Sequence, residues 1–458
     1  MAASRNGGTH VRELSDDFFA AVLGELGTPD EPTVYLQHEG RFYRFDPKAG
    51  VYVEQSRQQL AAIVSNHLRQ GALACATASD TTTLRFKLAS TSRLNSVVER
   101  AKGLLPVPAD FFDAEPGTYF VVGNGVIQLP DRKLVPFHPK FRRRSKLAVD
   151  HVPNAVCPML NDLLCRALCS EDLDLFQRWC GLLLVGVNLA QVVMVLEGPA
   201  GSGKGTVARV LSGLLGPQNL AALRTSLLGE RFEIGGLLGR TLLYGADVRT
   251  DFLTNRSATV LKSLTGGDPM TVELKGVNDR PQITARFNVL LTCNARLKVR
   301  LDGDADAWRR RLHFIRFGAS TCDAPITDLS EQILQAEGAG VLNFMLDGLD
   351  RLRADGFNLR RTPRQQAVVE DLLREAGSVG WFVSDYLILN PGGTVTVADA
   401  YDAYVRCCAD QGWGVSARDQ FSEHVKPIVE GRFGVAFRHD VRNREGKPQR
   451  GWKGVALK

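Results

Sequence analysis

The strongest chemical signal in the sequence is the glycine-rich run GPAGSGKGT at residues 198–206. Glycines close a tight turn without a Cβ, so backbone N–H groups can converge on a phosphate chain, and a following helix directs its positive end at the anion. Lys204 would then reach the β- and γ-phosphates of a nucleoside triphosphate. The residues predicted to bind the nucleotide are Gly198, Gly201, Ser202, Gly203, Lys204, Gly205 and Thr206.

The run departs from the pattern G-x4-G-K-[ST] at one position. Gly205 stands where that pattern has a hydroxyl, and Thr206 follows one residue later. Mg²⁺ coordination by Thr206 is therefore less secure than phosphate binding. The same GSGKGT string occurs in adenylate-kinase-like nucleotide kinases, but those begin with the loop near the N-terminus, whereas nearly 200 residues precede it here.

A carboxylate and an amide follow two later apolar strands. Asp247 in LLYGAD stands where a carboxylate would polarise the attacking water or hold Mg²⁺, and Asp251 is a second candidate for that role. Asn294 ends NVLLTCN and would orient the water; the alternative is a simple turn asparagine. Ligands of open α/β sheets bind at the carboxyl ends of the strands, which favours a shared site.

Three consecutive arginines precede another apolar strand in DADAWRRRLHFIRF. Guanidinium groups are seldom buried without partners, so core packing explains them poorly and a surface cluster is one alternative. The other is an arginine of this run inserted into the ATP site of a neighbouring subunit, where such a group raises the rate by roughly 10³ to 10⁵. That role requires a ring.

Three segments are candidates for DNA contact. Lys275 lies near the tip of a predicted hairpin and would bind a backbone phosphate, although a solvated hairpin is an equal alternative. From residue 432 to 458 the chain has eight Lys or Arg residues against Asp440 and Glu445, a net charge equal to the +6 of the whole protein. The predicted DNA-binding residues of this tail are Arg442, Arg444, Lys447 and Arg450. The third, the basic run 142–146, is interpreted as either a connector or a DNA contact.

Hydrophobic patterns predict the helices and strands that carry these residues. An apolar strand, QVVMVLE, precedes the phosphate loop, a helix with apolar spacing follows it, and three further apolar strands predict a parallel sheet. Residues before about 145 mix helical and alternating strand patterns. After about 374 the order is helix, helix, helix, hairpin, with Ser416 as the expected N-cap of the third helix. This order is typical of a winged helix.

Composition restricts the class of protein. With 458 residues, 44% hydrophobic and 23% charged, the chain is long enough for two to four globular domains. Nine cysteines without a CxxC pair argue against structural zinc and suit a reducing cytoplasm. No secretory signal is visible at the N-terminus, and the uncharged run 179–196 predicts a buried helix followed by a buried strand rather than a membrane span.

The order of the motifs GPAGSGKGT, LLYGAD, LKSLTGGDPMTVELKG, NVLLTCN and DADAWRRRLHFIRF resembles a superfamily 3 helicase of the AAA+ class. It is most similar to the C-terminal half of poxvirus-type and satellite-phage primase-helicases. The resemblance implies a hexameric, ATP-driven DNA translocase in which Asp247 stands where the family usually has glutamate. It also implies that Lys204 and Thr206 bind nucleotide and magnesium, Asn294 acts as sensor, Lys262 and Lys275 are motif lysines, and Arg310 or Arg311 acts in trans.

The predicted fold is α/β: an AAA+ P-loop ATPase with a parallel sheet, an N-terminal α+β domain and a C-terminal winged helix. The expected domains are 1–145 (N-terminal), 146–325 (motor), 326–372 (helical lid or linker) and 373–458 (winged helix). Expected ligands are ATP, Mg²⁺, and single-stranded and forked DNA; expected partners are further copies of the chain and a separate primase or polymerase, with no membrane. An AAA+ initiator or loader without processive unwinding, and a nucleotide kinase, are the alternatives.

Overall fold

The structure is a computed structural model of the whole chain. It describes residues 117–228, 230, 233–249, 253, 256–273, 282–297, 305–318, 326–375, 377–411, 413, 415–442 and 446–458, and before these residues 2–3, 9–10, 35–38, 41–56, 58–63, 65–66, 91–104, 107–108 and 111–112. Lys275, Arg444 and Asp251 lie outside the described residues, so their predicted roles stay predictions.

A five-stranded parallel sheet forms the centre of the molecule. Four of its strands are apolar runs that are largely buried on both faces, as parallel strands covered by helices must be, whereas the short edge strand 220–222 is only partly buried. In chain order the five strands are β9 (Val193–Glu197), β10 (Leu220–Ala222), β11 (Leu242–Gly245), β14 (Asn288–Cys293) and β15 (Leu312–Arg316). The predicted parallel sheet is confirmed.

The spatial order of the strands is β10-β11-β14-β9-β15. Strand β14 thus lies between β11 and β9, and all neighbours run parallel. The carboxyl ends of β9, β11 and β14 therefore meet at one edge of the sheet, where ligands of open α/β sheets bind.

Helices cover both faces of this sheet. They are α2 (Pro158–Ala167), α3 (Ser170–Val185), α4 (Lys204–Leu215), α5 (Arg256–Gly266), α6 (Ala305–Arg311), α7 (Leu329–Ala354) and α8 (Pro363–Glu375). The run 179–196 forms the end of α3 and strand β9, so the expectation of a buried helix followed by a buried strand is confirmed. Within the part of the chain that the structure describes, no helix is both long and apolar enough to cross a membrane.

Helix α7 belongs to the core, which corrects the prediction of a lid or linker at 326–372. It shares one hydrophobic cluster with α3 and α4. The backbones of α3 and α7 touch: a Cβ added at Gly348 would lie 1.9 Å from the carbonyl oxygen of Gln177, and one added at Gly181 would lie 2.3 Å from the amide nitrogen of Leu349. Only glycine permits this approach, because any side chain would push the helices apart.

The N-terminal part contributes two small antiparallel sheets and helix α1 (Thr91–Leu104). The first sheet has β3 (Tyr35–His38), β4 (Arg41–Asp46) and β5 (Val51–Gln55); the second has β6 (Tyr119–Val122), β7 (Gly125–Gln128) and β8 (Lys133–Val135). Two-residue strands, β1 (Ala2–Ala3) and β2 (Thr9–His10), pair with each other. Phe120, Val122 and Ile127 of the second sheet join the core around α3. The expected boundary at residue 145 therefore separates residues that pack together.

The C-terminal part has its own core. It contains α9 (Ser378–Tyr386), β16 (Leu387–Thr396), α10 (Val397–Gln411), α11 (Arg418–Phe433), β17 (Phe437–Arg442) and β18 (Pro448–Leu457). The three helices and the final hairpin follow the predicted order, and β16, between the first two helices, is a strand that this order did not include. It pairs with β18, giving the antiparallel order β16-β18-β17.

The predicted N-cap of α11 is wrong. Ala417 holds that position, and no side chain caps the helix there. The Ser416 hydroxyl instead accepts a hydrogen bond from the Tyr404 hydroxyl at 3.1 Å. The Ser416 hydroxyl thus bonds a side chain of helix α10 instead of the backbone of the helix that it was predicted to cap.

A short antiparallel pair, β12 (Pro269–Thr271) and β13 (Gln282–Thr284), stands beside the main sheet. It forms the base of the hairpin predicted around Lys275, whose tip lies outside the described residues.

Candidate nucleotide site

The glycine-rich run connects β9 to α4, which begins at Lys204. Gly203 precedes the helix with φ +90°, a left-handed conformation that favours glycine. Gly198 lies so close to the next strand that a Cβ there would be 2.4 Å from the Phe317 carbonyl oxygen. The turn thus leads directly into a helix amino terminus, whose free N–H groups and positive dipole end form an anion site.

Lys204 lies inside this turn with only 4% of its surface exposed. Its ammonium group donates to the carbonyl oxygens of Gly198 at 2.6 Å and Pro199 at 2.8 Å, and to the Ser202 hydroxyl at 3.2 Å. Burial lowers the pKa of Lys204, and the Asp247 carboxylate opposes this shift. A buried cation whose partners are mostly neutral oxygens is well suited to meet an anionic ligand.

Asp247 and Asn294 come together at the carboxyl edge of the sheet. The Asn294 amide nitrogen donates to Asp247 Oδ1 at 3.3 Å, and the Asp247 backbone N–H donates to Thr292 Oγ1 at 2.9 Å. Asp247 has φ +44°, and both side chains are exposed. The turn after β11 therefore presents a carboxylate and an amide side by side to the space in front of the phosphate loop.

One cleft of about 940 Å³ joins these groups. This volume suits a cofactor-sized ligand. Among the predicted residues, Gly201 to Thr206, Asp247 and Asn294 line it, whereas Gly198 lies deeper at the end of β9. The structure thus brings the predicted nucleotide residues to one place.

Sequence patterns missed the opposite wall of the cleft. That wall comes from α2 and the start of α7, and Arg209 adds a cation from α4. Arg209 donates to the Ser330 hydroxyl at 3.1 Å and approaches Thr206 Oγ1 at 3.5 Å. Its spacing of three residues after Thr206 on a helix was a signal that could have found it. The wall residues are Met159, Asp162, Leu163, Arg166, Ile326, Leu329 and Gln332.

Magnesium requires oxygen ligands, and it usually binds through one or two carboxylates plus substrate phosphates. The Thr206 hydroxyl and the Asp247 carboxylate, both in the cleft, are such ligands. Among the described residues no group of three or more His, Cys, Asp or Glu side chains could form a metal site. The donor set therefore fits a metal that arrives with the nucleotide.

The three arginines of α6 have different environments. Arg309 pairs with Glu370 at 2.8 Å and with Asp306, and Arg310 is exposed. Arg311 is only 5% exposed and donates to the Ala307 carbonyl oxygen at 3.2 Å. The expectation that core packing explains these arginines poorly therefore fails for Arg311.

Arg310 does not reach the nucleotide cleft of its own chain. Strand β15 runs parallel to β9 with Leu312 opposite Val193 and Arg316 opposite Glu197. Arg310 precedes this strand, whereas the phosphate loop follows β9, so the length of the strands, roughly 13 Å, separates them. Arg310 therefore lies at the other end of the sheet from the cleft.

The C-terminal hairpin is rich in exposed basic residues. Arg442, Lys447 and Arg450 are exposed on or beside strands β17 and β18. On the same hairpin Asp440 bonds both Arg438 at 2.8 Å and Lys453 at 2.9 Å, so two cations share one carboxylate. The hairpin keeps a net positive charge.

Two family descriptions match parts of the sequence. Residues 32–180 match "D5 N terminal like", and residues 196–311 match a "family of unknown function". Each covers less than half of the chain. No match was found among curated proteins.

Among solved structures, two apo structures of the NrS-1 C-terminal region are similar to this chain. Each gives a TM-score of 0.47 and covers 96% of this chain and 99% of that one, with identities of 11% and 12%. A third, with a TM-score of 0.43 and 12% identity, covers 91% and 94%. TM-scores below 0.5 do not establish a common fold. What the comparisons establish is a likeness over residues 32–180 to the family described as D5 N terminal like.

Proposed function

We propose that the protein is an ATP-dependent replicative DNA helicase of a virus, phage or mobile element. In this proposal it forms a hexameric ring and moves along single-stranded DNA by hydrolysing ATP between subunits. The observation that carries the proposal is the phosphate loop with buried Lys204, facing the Asp247–Asn294 pair across one cleft. The match of residues 32–180 to the D5 N terminal like family, which is found in primase-helicase proteins of phages and viruses, supports a role in replication.

The residues of the cleft divide the work of hydrolysis. On binding ATP, Lys204 would exchange the carbonyl oxygens of Gly198 and Pro199 for phosphate oxygens. Asp247 and Asn294 would hold the attacking water, because a carboxylate accepts its proton and an amide fixes its orientation. Magnesium, held by Thr206 and Asp247, would supply neutralisation of the charge on the phosphates.

Arg310 would complete the site of a neighbouring subunit. It is exposed, and it lies at the opposite end of the sheet from its own phosphate loop. Arg311 is the weaker candidate for this role because its side chain is buried. An arginine supplied in trans contributes a factor of roughly 10³ to 10⁵ in rate.

The first test is Lys204→Ala, with Lys48→Ala as a control at an exposed lysine outside the cleft. We expect Lys204→Ala to abolish ATP hydrolysis and unwinding while DNA binding is kept. Undiminished hydrolysis by a folded Lys204→Ala protein would refute the site.

The second test mixes two inactive proteins, Lys204→Ala and Arg310→Ala. If Arg310 acts across an interface, mixed rings contain some intact sites and recover part of the hydrolysis. No recovery in rings verified by electron microscopy would refute the trans role.

Strand displacement on forked DNA separates this function from that of an initiator or loader, which would hydrolyse ATP without processive unwinding. Phosphate transfer from ATP to a nucleoside monophosphate would instead identify a nucleotide kinase.

A further inference from the structure

A second, smaller concave site lies at the amino ends of the parallel strands, at the end of the sheet opposite to the nucleotide cleft. Its walls are residues 143–145, residues 184–187 at the end of α3, and residues 239–241 before β11. It encloses about 60 Å³. This space has room for a few water molecules or one anionic group, not for a drug-sized ligand.

Four chain segments at or beside this pocket carry no acidic residue. Residues 132–149 contain seven Lys or Arg and neither Asp nor Glu, and residues 184–196, 214–223 and 234–246 also lack acids. Asp113 and Glu115, which follow pocket residue Phe112 in the sequence, lie outside the described residues. A surface lined by one sign of charge raises the local concentration of oppositely charged ligands.

Arg143, Arg144 and Arg240 line this pocket, and Lys140, Arg142 and Lys146 are neighbours of the first two in the sequence. We call these six basic residues the basic face. Neutral groups hold several of them in place. Arg142 lies 5.0 Å from the Phe111 ring centroid and Lys146 lies 4.7 Å from that of Phe137. Arg240 donates to the Gln218 carbonyl oxygen at 2.7 Å. Rings and carbonyl oxygens are neutral partners, so they position Arg142, Lys146 and Arg240 without neutralising their charge.

The rings in these contacts support cations and are not available to stack on bases. Phe111 is buried, and Phe137 is half-buried under Lys146. Positioned cations suit backbone phosphates, which give affinity without reading sequence.

The carboxyl end of α3 offers a different explanation for the arginines, since its residues 184–187 also line the pocket. A helix carboxyl terminus attracts cations with the equivalent of about half a negative charge. This half charge is small compared with the charges of the three guanidinium groups that line the pocket, those of Arg143, Arg144 and Arg240. Arg240 also donates to the carbonyl oxygens of Pro217 and Gln218 rather than to this helix.

We infer that the basic face binds the phosphodiester backbone of single-stranded DNA. This contact is separate from the C-terminal hairpin and from the nucleotide cleft. The inference rests on the proposed function only in the choice of DNA as the polyanion.

The test measures binding of a fluorescein-labelled dT oligonucleotide by fluorescence anisotropy across a range of salt concentrations. Each phosphate contact on a single strand contributes about 0.7 to the slope of log K against log salt. Arg142→Gln/Arg240→Gln removes two cations, so its slope should fall by about 1.4. Arg142→Lys/Arg240→Lys keeps both charges and should keep the wild-type slope.

Arg353→Gln/Arg360→Gln is the matched control, because these arginines line neither pocket and their loss changes the net charge equally. A wild-type slope in Arg142→Gln/Arg240→Gln would overturn the inference, and so would an equal fall in the control. Should the double variant fail to fold, exposed Lys140→Gln should still lower the slope by about 0.7. Hydrolysis by Lys204→Ala tests the nucleotide site separately, so the two failures can be told apart.

Discussion

Glu337 should determine whether the wall of the nucleotide cleft is formed. This carboxylate of α7 is 6% exposed and accepts the backbone N–H groups of Met159 at 2.8 Å and Leu160 at 3.2 Å. Both belong to the first turn of α2, which has no capping side chain of its own. Removing the acceptor leaves two inward-facing donors without partners, at about 1–3 kcal/mol each.

We therefore expect Glu337→Ala to destabilise the first turn of α2 by about 3–4 kcal/mol. Because 1.4 kcal/mol corresponds to a factor of ten, hydrogen exchange of the amides of residues 159 and 160 should accelerate by about a hundredfold or more. Glu337→Gln keeps one oxygen acceptor, so its effect should be about half of that free energy.

Glu423→Ala, at an exposed site on α11, should leave this exchange unchanged. Since Met159 and Leu163 line the cleft, Glu337→Ala should also raise KM for ATP more than it lowers kcat. Wild-type exchange at residues 159 and 160 in Glu337→Ala would show that the carboxylate does not hold the turn, and would refute the reasoning.

Two further predictions concern stability. Burial, with a smaller effect of Arg361, lowers the pKa of His313 to about 4 from 6.5. The neutral ring thus stabilises the fold fully above pH 6.5, and about 3 kcal/mol is lost as the pH falls towards 4. In urea unfolding, His313→Gln should flatten this pH dependence; an unchanged slope would contradict it. Gly348→Ala should destabilise the protein by about 1–3 kcal/mol or more, because α3 and α7 must separate. Gly431→Ala, in open space on α11, should instead stabilise it by about 0.5–1 kcal/mol. Equal melting temperatures for these two variants would contradict the packing argument.

The sequence predicted those parts of the fold that depend only on a short stretch of the chain. Buried parallel strands are continuous apolar runs, and a phosphate loop needs its glycines in a short stretch, so β9, the loop and α4 could be read directly. The meeting of Asp247 and Asn294 was also accessible, because carboxyl ends of parallel strands share an edge.

What the sequence did not predict depends on distant partners. Strand β16 is irregular at the run 390–393, Asn-Pro-Gly-Gly, and its residues on either side, 387–389 and 394–396, pair with β18 about 60 residues later. Helix α7 packs closely against α3 because Gly348 has no side chain to separate the two backbones. The local sequence pattern does not predict this contact. Likewise Arg310 and Arg311 are equivalent in sequence, and only the passage from α6 into β15 turns one outwards and buries the other.

The parallel sheet has a consequence for assembly under the proposed function. Every subunit carries its phosphate loop at the carboxyl edge of the sheet, and Arg310 and the basic face at the amino edge. An interface that brings Arg310 of one subunit to the cleft of the next is therefore heterologous, and such an interface closes into a ring when its rotation allows. In that ring the basic faces repeat with the same symmetry as the ATP sites. The salt slope of DNA binding should then be steeper for assembled rings than for isolated subunits, because one strand would contact several faces at once.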